Sequence, residues 1–101
     1  MTTTLPQIHN GQAIPWKNVP ELSVTEFRSA VIERVHKGRR ISSLFGIPDG
    51  DQIVLVAVLT NDQQATMSVC RTRVREAYPA LTPEVAQAHW FEREIAEHWG
   101  I

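Results

Sequence analysis

The sequence predicts an α+β domain: an N-terminal helix, a three-stranded antiparallel meander and a C-terminal helix. Three observations predict it. A capping box at Ser23 opens a stretch of helical periodicity. Three strand-like runs follow, separated by the turn signals Asp49-Gly50-Asp51 and Asn61-Asp62-Gln63. Thr82-Pro83-Glu84 then places an N-cap, a first-turn proline and a first-turn acid ahead of a second amphipathic run.

Residues 1–20 read as a loosely ordered lead-in, with an added strand on the meander as the alternative, and 21–101 as a single domain. Ile14-Pro15-Trp16 and Val19-Pro20 favour an extended or turn-rich course rather than a helix. Trp16 is expected to cover part of the core, with a solvent-facing docking role as the alternative.

Helix 1 is predicted from Val24 to Lys37. The Ser23 side chain caps the Glu26 amide, and Leu22 and Phe27 stand at the positions of a hydrophobic staple. Val24, Phe27, Val31 and Val35 form one stripe, with Ala30 beside it. Gly38 suits the left-handed C′ position, and Lys37, Arg39 and Arg40 complement the negative end of the helix dipole.

The first strand is predicted over Arg40–Ile47, ended by Pro48. The second, Gln52–Thr60, is apolar on both alternating faces, so both are covered, or one faces another element or a partner. The third, Ala65–Arg73, sets Ala65, Met67 and Val69 against Thr66, Ser68, Cys70 and Thr72, the pattern of a half-buried strand. Arg71, Arg73 and Arg75 share one side. A solvated edge that discourages aggregation is the plainer reading, and a docking stripe for an acidic partner the sharper one. Helix 2 is predicted over Pro83–Trp99, with a possible break near Gln87. Ala88, Phe91, Ile95 and Trp99 lie on one stripe, with Gly100 at C′ and Ile101 beyond it.

Composition excludes several function classes. A chain of 101 residues with 43% hydrophobic residues is one domain with one modest core. A formal net charge of -1 creates no field for nucleic acid or anionic membrane. The longest apolar run, Ile53–Leu59, is too short to span a bilayer, and no secretory signal is read at the start of the sequence. One cysteine, Cys70, makes no internal disulfide, which suits a reducing cytoplasm. Mid-strand and with no neighbouring histidine, Cys70 reads as an inert buried thiol. His9 and His36 read as surface residues. The set His89, Glu94 and His98 has the wrong spacing for a metal centre, and no glycine-rich phosphate loop or Cys-x-x-Cys pair occurs. No catalytic, cofactor-binding or metal residue is therefore assigned, and no activity is expected of this chain alone.

The last third adds a resemblance. Tyr78-Pro79-Ala80-Leu81-Thr82-Pro83, then Ala88-His89-Trp90-Phe91-Glu92-Arg93-Glu94-Ile95, then Gly100-Ile101, is similar to the signature of the thirty-kilodalton subunit family of respiratory-chain NADH dehydrogenases, the NADH-quinone oxidoreductases. Upstream, helix 1, Ile41-Ser42-Ser43-Leu44-Phe45-Gly46 and the next two strands keep that family's order. Leu44-Phe45-Gly46 and the Pro-Ala-Leu-Thr-Pro linker resemble the branch fused to the large subunit of complex I-like nickel–iron hydrogenases, as in formate hydrogenlyase. The resemblance covers roughly residues 20–101, and His98-Trp99 departs from the residues that usually precede Gly-Ile.

The resemblance implies a structural domain on the cytoplasmic side, peripheral to the inner membrane through its complex and holding no cofactor. The partners it implies are the catalytic large-subunit domain and the iron–sulfur subunit, which carry the nickel–iron centre or iron–sulfur clusters. It points to Trp90, Glu92, Arg93, Glu94, Gly100 and Ile101 as signature or partner-contact residues. It also implies a chain that continues past Ile101 as the N-terminal part of a longer protein, with a stand-alone form lacking that tail as the alternative. The thirty-kilodalton subunit of a true NADH-quinone oxidoreductase is the nearest alternative, and a free-standing protein-interaction adaptor the alternative of another class.

Overall fold

The computed structural model describes Leu5 and residues 7–9, 16–75 and 88–99. The elements are β1 (Gln7–His9), a 3₁₀ turn (Trp16–Asn18), α1 (Val24–His36), β2 (Arg40–Asp49), β3 (Gln52–Asn61), β4 (Thr66–Val74) and α2 (His89–Trp99). The fold is α+β. The sheet has four antiparallel strands in the order β1-β4-β3-β2, rather than the three expected. The additional strand comes from the lead-in, where Gln7, Ile8 and His9 pair with Ser68, Met67 and Thr66. Three residues are too few to show a period, so alternation in the sequence does not reveal this strand.

α1 begins and ends as its sequence dictates. The Ser23 hydroxyl oxygen accepts from the Glu26 amide at 3.2 Å, and its O–H donates to the Glu26 carboxylate at 3.1 Å. At the other end Gly38 takes φ +91. The Arg39 amide donates to the Arg34 carbonyl and the Gly38 amide to the Val35 carbonyl, the paired bonds of a Schellman stop. Lys37 is the C-cap.

β2 runs two residues past the expected stop, through Pro48 to Asp49. Proline lacks an amide donor, and β2 stands at the end of the strand order, so Pro48 faces Ile53 without breaking a ladder on its far side. A register shift between Ile41 and Ser43 bends the strand. This bulge puts Ile41 and Leu44, three residues apart, in one buried cluster. Ser42 answers for the interrupted ladder: its hydroxyl donates to the Val58 carbonyl and accepts from Thr60 Oγ1. Gly50 turns the β2–β3 hairpin at φ +63, a conformation costly for a residue with a Cβ. In the β3–β4 turn, Asn61 Oδ1 accepts from the Gln63 and Gln64 amides. Ala65, predicted as the first residue of the third strand, belongs to that turn at φ +54.

Both helices cover the same face of the sheet. Phe27 and Val31 of α1, and Ala88 and Ile95 at α2, share one core with Ile41, Leu44, Leu55, Ala57, Leu59, Cys70 and Val74. α2 lies against β2, and α1 lies chiefly against β4 and β3. The register puts Ser68, Cys70, Thr72 and Val74 of β4 opposite Leu59, Ala57, Leu55 and Ile53. The polar-looking side of β4 is thus the side under the helices. Small groups such as Cys70 and Thr72, both essentially inaccessible, fit beneath a closely packed helix. Burial with a weak Coulombic offset from Arg34 pushes the Cys70 thiol up to about 12, the inert state expected of it.

Candidate protein-interaction face

The opposite face of the sheet carries the features that most need a functional account. Across β2, β3 and β4 the pairing aligns Phe45 with Val56 and Arg71, and Ile47 with Val54 and Arg73. Val54, Val56 and Val69 form a second buried cluster with Val19, and Ile8 and Val58 pack on its margin. The cover comes from the lead-in. Glu21 makes a parallel bridge to Arg71, where the Arg71 amide donates to the Pro20 carbonyl and the Leu22 amide to the Arg71 carbonyl. The chain therefore passes from Val19 on one face, along β4, to α1 on the other.

This passage explains the arginines of β4. β1 pairs with β4 only at Thr66–Ser68, and further along that side of β4 the Glu21 bridge takes the place beside Arg71. Arg71 stacks on the Trp16 ring at 4.3 Å and donates to the Trp16 carbonyl at 3.0 Å. Arg73 Nε donates to Glu21 at 2.8 Å while its Nη1 holds Asp49. Those bonds, Asp49 first and Glu21 second, hold the Arg73 guanidinium above its ordinary pKa. Arg75 lies 3.6 Å from Asp51. The arginine stripe is tied into the fold. It clamps the lead-in and the β2–β3 hairpin onto the second face, with its charge answered from within the chain.

Large apolar groups also stay uncovered on this face. Trp16, Phe45 and Ile47 are the exposed large hydrophobic side chains among the described residues, at 47%, 40% and 37% exposure. All three belong to this one face, so Trp16 does not act as the core cover expected of it. Single exposed apolar residues need no explanation, but a shared face with buried valines beneath and arginines between has the composition of an interaction surface.

The signature helix lies on the other side. Ala88 and Ile95 are buried and Phe91 is half-buried, as the predicted stripe requires. Glu92 is half-buried, while Arg93 and Glu94 are exposed. Arg93 Nε approaches Glu97 Oε1 at 3.3 Å, a surface pair between side chains 61% and 65% exposed, worth a few tenths of a kcal/mol. Gly100, Ile101 and the Thr82–Pro83 start signal lie outside the described residues, as does the side chain of Trp90. Among the described residues no cluster of histidine, cysteine and carboxylate groups is placed to hold a metal. No described helix is long and apolar enough to cross a membrane.

Phe45 and Ile47 were not singled out from the sequence as contact residues. The available signal was β3, whose two apolar faces require a cover on each side. No family model and no curated protein matches the chain.

Proposed function

We propose that this chain is a non-catalytic structural domain of a complex I-like oxidoreductase of the membrane-associated nickel–iron hydrogenase type. In this reading it docks on the catalytic large-subunit domain and the iron–sulfur subunit. It works in the cytoplasm, peripheral to the inner membrane through its complex, while the metal centres belong to its partners. The observation that carries the docking part is the apolar band Trp16–Phe45–Ile47 on the sheet face away from both helices. The resemblance of Trp90-Phe91-Glu92-Arg93-Glu94 supplies the class of complex, and the exposure of Arg93 and Glu94 leaves them accessible for a second contact.

Two contact regions on opposite sides of the domain suit a spacer held between two larger bodies. Aromatic anchors dominate the first and charge-assisted hydrogen bonds the second. The test is an affinity purification of the tagged chain from its own host. Co-elution of a nickel–iron subunit together with iron–sulfur subunits supports the proposal. Co-elution of NADH-oxidising subunits without nickel transfers the domain to an NADH-quinone oxidoreductase. Elution with neither leaves a free-standing adaptor.

A further inference from the structure

A recess of about 110 Å³ opens between the C-terminal turn of α1 and the β1–β4 pair, on the helix-covered side of the sheet. Arg34, Lys37 and Arg39 line it, together with Gln7, Ser68 and the carboxylate of Glu33. Three cations against one carboxylate give this lining a charge of +2. The surrounding segment is equally biased: residues 28–40 carry five cationic side chains and one acid, in a chain whose formal net charge is -1.

We propose that this recess is an oxyanion site that takes a doubly charged phosphate group. The cations come from one corner, the last turn of α1 and the residues just after it. Arg34 is set by its bond to the Ala30 carbonyl at 3.4 Å, and Arg39 by its bond to the Lys37 carbonyl at 3.2 Å. Glu33 is held by Lys37 at 3.0 Å, which draws its charge to one wall. A guanidinium has five N–H donors in a planar fork, and the bond to Lys37 uses one donor of Arg39. Ser68 adds a hydroxyl from the sheet side. Helix C-termini ordinarily repel anions through their carbonyls. Here the Schellman bonds occupy the Arg34 and Val35 carbonyls, and the Lys37 amide occupies that of Glu33, which weakens that repulsion. Arg34 is half-buried, where a charge acts at lower effective dielectric than on the open surface.

The site is independent of the proposed docking function, since it faces away from Phe45 and Trp16. The test is a titration of the full chain with inorganic phosphate at constant ionic strength, followed by amide NMR. Saturable shifts centred on Arg34 to Arg39 and Ser68 are the expected result. Arg39→Gln weakens binding about tenfold, the loss of one charge-assisted hydrogen bond. Lys37→Gln, at an exposed position, weakens it without disturbing the fold, whereas the remote Arg75→Gln leaves it unchanged. Acetate binds more weakly than phosphate because it carries a single charge. Non-saturating shifts, equal binding of acetate, or an equal loss in Arg75→Gln would overturn the assignment.

Discussion

Replacing Arg71 with methionine tests how the lead-in is held to the sheet. The side chain is only 14% exposed, and its Nε is buried with no hydrogen-bond partner and 3.8 Å from Glu21. Methionine keeps the apolar stem and removes the guanidinium. The change loses the stacking on Trp16, about 0.5–1 kcal/mol for a cation over an accessible ring. It also loses the charged hydrogen bond to the Trp16 carbonyl, about 1.5–3 kcal/mol. Relief of the unpartnered Nε returns about 1 kcal/mol or more. The net expectation is a destabilisation of about 1–2 kcal/mol, read as a lower urea midpoint.

The location of that loss is the sharper test. The Val19 amide donates to the Trp16 carbonyl and the Leu22 amide to the Arg71 carbonyl. Amide exchange at Val19 and Leu22 should accelerate while Leu55 and Ala57 of β3 change only as global stability does. A Trp16→Ala, Arg71→Met cycle should give a coupling of about 0.5–1 kcal/mol. Unchanged stability with unchanged exchange at Val19 and Leu22 would refute the clamp. So would a uniform acceleration across the sheet.

Three further outcomes follow from the same contacts. Ser23→Ala should cost about 1 kcal/mol in urea unfolding by removing the cap of α1, and Ser23→Gly only a few tenths. For Cys70, the folded thiol is raised to about 12 from an ordinary 9.0, so the folded state holds its proton over the pH range where the unfolded chain releases it. This contribution is fully present below about pH 9 and is lost as pH rises towards 12. Cys70→Ala should flatten the alkaline slope of stability, and thiol labelling of the native protein at about pH 8 should proceed only through opening. Arg93→Ala should change the stability of the isolated domain by less than about 0.5 kcal/mol, since the pair with Glu97 is exposed, yet weaken assembly of the parent complex. An equally large loss of domain stability would make Arg93 an internal structural residue.

Where the sequence carried redundant local signals, it was legible. Ser23, Glu26 and Gly38 mark the ends of α1 through hydrogen-bond chemistry that needs no tertiary partner. The β2–β3 and β3–β4 turns are marked by Asp49-Gly50-Asp51 and Asn61-Asp62-Gln63 in the same way. The misreadings lie where tertiary context overrides a local pattern. β4 looks polar on the face that is buried, because Ser68, Cys70 and Thr72 suit that face by size under α1 rather than by apolarity. Pro48 reads as a stop and is not one, because an end strand of this sheet tolerates a missing donor. An extension of the meander by the lead-in was open from the sequence, but β1 could not be located, because its pairing depends on β4 rather than on its own three residues.

The candidate site was legible only in part. The apolar second face of β3 announced that something must lie over it, and Val19 supplies part of that cover. That Trp16, Phe45 and Ile47 share the remaining surface depends on strand order and register, which the sequence does not encode locally. The arginines of β4 show the same gap. Their partners Glu21, Asp49 and Asp51 are 24 to 52 residues away, and only the fold brings them together.

The measurement closest to the central proposal is the composition of the complex recovered with Phe45→Ser, Ile47→Ser beside the unaltered chain. Both positions are more than a third exposed, so the variant should keep its fold, losing about 1–2 kcal/mol of unfolding free energy at each for the apolar area no longer covered. The unaltered chain should co-purify from its host with nickel, iron and stoichiometric oxidoreductase subunits, and the double variant should lose them. A double variant that retains the full complex would remove this face from the docking account. An unaltered chain that recovers no redox-metal subunit would contradict the proposed function itself.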